Sequence, residues 1–144
     1  MDTTRIHGII SVLFVIAAMV IGFIAIFQNS LLLSIGYATL ILISYFIIAA
    51  VYCSKCLCRD TCNHLFVGML SKHLSRPNKS PYTKSDMFYG AALPIGITVF
   101  LPQFWLIKSP VLLFSFWVLL LIGAAEIIFF VCKGCNNRKC SMCR

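Results

Sequence analysis

All eight cysteines of this chain fall in two short clusters. The first holds Cys53, Cys56, Cys58 and Cys62, with His64 two residues further on; the second holds Cys132, Cys135, Cys140 and Cys143. Three C-x-x-C pairs result, together with a C-x3-C-x-H run from Cys58 to His64. A C-x-x-C pair brings two thiolates to one point from a single turn, and two such pairs close a tetrahedron around zinc or iron. The tail reads C-x2-C-x4-C-x2-C. Its central gap is short for one mononuclear site, since zinc ribbons separate their pairs by on the order of a dozen residues or more. A grouping across the clusters is therefore expected, with Cys53, Cys56, Cys132 and Cys135 as one four-thiolate site. Cys58, Cys62, His64, Cys140 and Cys143 are left for a second site or for none.

Zinc is the expected metal. An iron–sulfur cluster also wants four thiolates, but the bacterial C-x2-C-x2-C-x3-C run is absent. Thiol–disulfide exchange is a further reading. Four-helix membrane enzymes of that kind work on the oxidising side of the membrane, whereas the charge pattern below puts these cysteines on the reducing side. Cysteines just beyond a membrane span are also routine S-acylation sites. Glu126 adds one more group. It lies six residues before Cys132, about 9 Å deeper along a helix, and a carboxyl within a span marks a functional site by default. It would relay protons or pass a soft metal ion to the thiolates. The structural alternative is a protonated carboxyl bonded to Ser, Thr or Tyr on a neighbouring helix, or one that reaches water.

The elements that carry these residues follow from composition. Of 144 residues 60% are hydrophobic and 11% charged, against about a quarter charged in soluble domains, so the bilayer is the expected solvent. Four apolar runs, 8–27, 31–52, 87–107 and 110–131, are long enough to cross it. The first is too long for a signal-peptide core and is expected to remain as a span. All four must be helices, because backbone in hydrocarbon has to bond to itself. The links between the first and second runs and between the third and fourth are too short for anything but tight antiparallel hairpins. Pro110 suits the first position of the fourth helix.

Arg5, Lys55, Arg59, Lys72, Arg76, Lys79, Lys84, Lys133, Arg138, Lys139 and Arg144 share one side of this arrangement, and Lys108 is alone on the other. The positive-inside bias places both termini and both cysteine clusters in the cytoplasm. Between the hairpins, Leu65, Phe66, Met69, Leu70 and Leu74 recur at helical spacing with Lys72 and Arg76 off that face. This segment is expected to lie as an amphipathic helix along the interface. A polar linker follows it, and Ser85 or Asp86 is expected to cap the third span.

The two halves share one plan, with Val51-Tyr52-Cys53 aligning on Phe130-Val131-Cys132. Pro94, Gly96 and Pro102 interrupt the third span. Ala18 and Gly22 in the first, and Gly123 with Ala124 and Ala125 in the fourth, are expected packing faces. No phosphate-binding glycine loop, Ser/His/Asp set or paired carboxylates occur, and the basic face needs anionic lipid rather than nucleic acid as its partner.

The expected fold is an all-α membrane protein with four transmembrane helices in two tight hairpins, a cytosolic Cys-rich cap and one interfacial helix. The chain divides into a first hairpin with its cluster (1–62), a central helix and linker (63–86) and a second hairpin with its cluster (87–144). The expected function is that of a non-catalytic subunit or scaffold in a cell-membrane or inner-membrane assembly, with a metal-binding cap and with membrane or cytosolic proteins as partners. The alternatives are a thiol–disulfide or iron–sulfur electron-transfer protein and a soft-metal-ion transporter.

Overall fold

The computed structural model describes residues 3–55, 80 and 82–132, without the side chains of residues 3–5 and 52. No strand occurs among them. Four helices are long and apolar enough to cross a membrane: Ile6–Phe27, Leu31–Lys55, Lys84–Leu106 and Pro110–Val131. These match the four apolar runs to within three residues at each end.

The first is a single α-helix, α1 (Thr3–Phe27). After a three-residue turn, α2 (Leu31–Ile47) starts at Ser30, whose hydroxyl accepts from the Leu33 N–H. It continues as a five-residue π-helical segment, π1 (Ile48–Tyr52), and a 3-10 turn at Cys53–Lys55. The third span is broken. It runs through α3 (Lys84–Met87), π2 (Phe88–Ala92), α4 (Leu93–Phe100) and α5 (Gln103–Leu106). The fourth is α6 (Pro110–Glu126), with Pro110 in the first turn as expected, followed by π3 (Ile127–Val131).

The third span departs from expectation at its start. Thr83, not Ser85 or Asp86, is the cap: its hydroxyl accepts from the Asp86 N–H while the Asp86 carboxylate accepts from the Thr83 N–H. This reciprocal box satisfies two backbone donors at once and draws the helix start back to Lys84. Both prolines lie where the α-ladder is interrupted. Pro94 has no N–H to donate, and its ring would press on the carbonyl four residues back; the wider turn of π2 immediately precedes it. Pro102 leaves the Thr98 carbonyl without its usual donor, and the Tyr37 hydroxyl on α2 supplies one at 2.9 Å. Tyr37 is 2% exposed. It fits there because Gly22 on α1 has no side chain: a Cβ at Gly22 would lie 3.1 Å from the Tyr37 hydroxyl and 3.2 Å from the Pro102 ring.

α1 packs most extensively against α6, not against its sequence neighbour α2. Gly123 makes that approach possible. A Cβ there would meet Val15 at 3.2 Å and the Ser11 carbonyl at 3.3 Å. Without a hydrophobic drive between helices in lipid, such close backbone contact supplies the packing energy. Ala18, Ala25, Leu106 and Phe116 form the buried centre. Ala18, Gly22 and Gly123 are thus packing residues as expected, whereas Ala124 faces outward. Large apolar side chains line the outer surface, among them Leu32, Phe104 and Val111 at 74% exposure or more. That surface suits hydrocarbon and not water.

The two short turns meet at one end of the bundle, where Lys108 Nζ donates to Asn29 Oδ1 at 3.1 Å. The start of α1, the end of π1, the start of α3 and the end of π3 therefore share the opposite end. The amphipathic segment from 64 to 76 and the linker up to residue 79 lie outside the described residues.

Candidate functional site

The end opposite the turns gathers His7, Lys55, Asp86, Glu126 and the described cysteines Cys53 and Cys132. It is built twice, on the same backbone plan. α2 and α6 are each 17 residues long, each continues into five π-helical residues, and each then delivers a cysteine, Cys53 or Cys132. Hydrogen bonding repeats as well. The Ile48 N–H is shared between the Ser44 and Tyr45 carbonyls, and the Ile127 N–H between those of Gly123 and Ala124. The Cys53 N–H reaches back to Ile48 and the Cys132 N–H to Ile127. No proline accounts for these two π segments, unlike π2. Segments of this kind are frequent at functional sites.

Each cysteine is half-buried. π1 packs against π2 across small residues: Ala49 is fully buried, and Gly90 and Ala91 are buried. Two side-chain pairs cross between the halves at this level. Lys55, just past Cys53, pairs with Asp86 at the start of the third span. Asp86 thereby serves both the cap of α3 and a cross-half ion pair. On the other side, His7 near the start of α1 meets Glu126 at the junction of α6 and π3, Nδ1 to Oε2 at 2.7 Å. The His7 ring also stacks on Phe130 of π3, with centroids 4.2 Å apart and planes 12° from parallel. Start-of-span and end-of-span residues are thus joined across the halves on both sides.

Glu126 pairs with His7, a partner that the structural alternative of Ser, Thr, Tyr or water did not name. His7 belongs to no spacing motif, and its sequence distance of 119 residues from Glu126 hides the pairing. The signal that could have found it is an ionisable residue in the first turns of one span and another in the last turns of a second span.

Of the expected metal ligands, the structure describes Cys53 and Cys132, and it also describes the intramembrane Glu126. Cys56, Cys58, Cys62, His64, Cys135, Cys140 and Cys143 lie outside the described residues. Among the described residues no three of His, Cys, Asp and Glu converge on one point.

No protein-family model fits the chain, no curated protein aligns with it, and no solved structure shares its fold at a significant level. Its function has to be read from its own residues.

Proposed function

We propose that this is a small integral membrane protein whose Cys-rich end binds a metal ion, zinc foremost. It acts as a non-catalytic subunit or scaffold of a membrane assembly. Its termini and cysteine clusters face the cytoplasm, in line with the distribution of Lys and Arg. The observation that carries the reading is the paired delivery of Cys53 and Cys132 at one end of the bundle, each by a 17-residue α-helix and a five-residue π segment. Each of these cysteines opens a C-x-x-C pair, with Cys56 and Cys135 as its second member. Four thiolates drawn from both halves would tie α2 and α6 together at the membrane surface and give a cytosolic or membrane partner a rigid feature to dock on.

Metal analysis of the full-length protein, purified anaerobically in detergent, tests the reading. Colourless protein with stoichiometric zinc is expected. Replacing Cys132 and Cys135 together by Ser is expected to cut the bound metal and to lower stability; metal content unchanged by that substitution would refute a site shared between the halves. Metal-free cysteines that cycle between thiol and disulfide would replace the reading with thiol exchange. Iron with sulfide and visible colour would replace it with electron transfer. Metal flux in liposomes that is lost in Glu126→Gln would replace it with transport.

A further inference from the structure

The four spans pack mainly as two pairs. α6 and π3 lie against α1, while the third span from Lys84 to Phe100 lies against α2 and π1. Of the third span, α5 is the part that packs on both α1 and α6. The side-chain ties follow the same division. Tyr37 holds the Thr98 carbonyl to α2, Lys55 holds Asp86 to the end of the second span, and His7 on α1 holds Glu126. The pairs close on each other towards the two short turns. There Leu106 and Phe116 are fully buried, Val99 packs against them, and the Trp117 indole N–H donates to Gln103 Oε1 at 3.2 Å.

Towards the opposite end the third and fourth spans part. Leu106, Pro102, Val99, Ile95 and Ala92 recur at helical spacing on one face of the third span. The first two are fully buried and Val99 is half-buried, but Ile95 is 45% exposed and Ala92 is exposed. The same change runs along α6, from Trp117, which meets the third span, to Leu121 at 64% exposure and Ala124. Gly96 lies one turn from Ala92, and a Cβ there would meet nothing within 4 Å. Kinks fall at prolines and π segments, and Pro94 follows π2 in the part of the third span that leaves α6. The result is a cleft between the two spans, open sideways to the bilayer and closed at its deep end by Val99 and the Gln103–Trp117 contact.

Depth and charge say what fills it. From Val99 to the start of the span at Lys84 the helical rise is about 22 Å, about half of a bilayer of 40–45 Å with its headgroups. A membrane-spanning helix needs the whole thickness and is stopped at Val99. A phospholipid occupies one leaflet and fits. At the mouth Lys84 is exposed, and Tyr89, little more than a turn deeper, is 62% exposed. Lys55, Asp86 and Glu126 at this end are engaged in their ion pairs. An exposed ammonium at the membrane surface favours an anionic headgroup, and tyrosine suits headgroup level. We propose that this cleft binds one anionic phospholipid, with an acyl chain along Gly96 and Ala124 and the phosphate at Lys84.

Native mass spectrometry of the delipidated full chain in micelles tests this, with phosphatidylglycerol and phosphatidylcholine of equal chain length as probes. One lipid per chain is expected, with phosphatidylglycerol favoured about fivefold. Lys84→Gln is expected to abolish that preference. Gly96→Leu puts a side chain into the cleft and is expected to lose the bound lipid. Gly36→Leu is the control: its Cβ is equally unopposed but lies on the exposed face of α2, so it is expected to bind as the wild type does. Ala124→Leu fills the cleft from the other wall and serves if Gly96→Leu does not fold. Wild type that holds no lipid, lipid kept in both filled variants, or lipid lost equally in Gly36→Leu overturns the site. A second copy of the chain bound in place of lipid, and lost in Gly96→Leu, overturns it in favour of a helix. A preference for phosphatidylglycerol that survives Lys84→Gln overturns the assignment of the phosphate.

Discussion

The Tyr37 hydroxyl offers the sharpest test of how this bundle is held together. Pro102 cannot donate to the Thr98 carbonyl, yet Leu101 and Pro102 both keep right-handed helical dihedrals, at −59°/−46° and −67°/−15°. The backbone path is thus helical and lacks only the donor, which Tyr37 provides from α2 at 2.9 Å. Tyr37→Phe removes it and leaves a carbonyl unsatisfied in a site that Gly22 and the Pro102 ring close off. A buried orphan acceptor costs about 1–3 kcal/mol, while single hydrogen bonds between membrane helices average about 0.6 kcal/mol. A loss of about 1–2 kcal/mol is therefore expected for Tyr37→Phe, a shift of about five- to thirtyfold in the folding equilibrium. The cause is separable by a second substitution. Pro102→Ala restores an N–H that the existing dihedrals aim at Thr98, so Tyr37→Phe should cost little in that background. The coupling energy is expected to be about 1 kcal/mol. Reversible unfolding in mixed detergent micelles, run on the wild type, both single variants and the double variant, measures it. An equal cost of Tyr37→Phe with and without Pro102 would refute the reasoning and leave Tyr37 as a packing residue only.

Glycine substitutions should divide by location. Gly123→Ala is expected to destabilise by about 1–3 kcal/mol through overpacking against Ser11 and Val15, whereas Gly36→Ala and Gly96→Ala, where a Cβ meets nothing within 4 Å, should be neutral or gain up to about 1 kcal/mol from helix propensity; thermal unfolding in detergent distinguishes the two groups. Thr83→Ala is expected to cost about 1 kcal/mol as the loss of a cap. Asp86→Asn should cost at least as much, because the same carboxylate also holds Lys55; a milder effect for Asp86→Asn than for Thr83→Ala in the same unfolding assay would contradict that double role.

The sequence by itself determined the four spans. Runs of about 20 apolar residues have one stable form in lipid, because their backbone polar groups must bond within the run, so length and composition suffice for Ile6–Phe27 and Pro110–Val131. It also determined Pro110 in the first turn of its helix and the small residues Gly22 and Gly123 as points of close approach, since those follow from local stereochemistry. Cys53 and Cys132 each follow a 17-residue α-helix and a five-residue π segment. Local reasoning misplaced the cap of the third span, because Thr83 and Asp86 satisfy each other's backbone and the box outweighs a single-residue cap.

What only the tertiary structure decided is which spans touch. That α1 lies against α6, that Tyr37 answers for Pro102, and that Glu126 belongs to His7 all join residues distant in sequence. Apolar helices in lipid carry little polar patterning to announce their neighbours. The partner of each is fixed by where backbones can approach and where an unsatisfied polar group must find its match, and both exist only once the helices are packed.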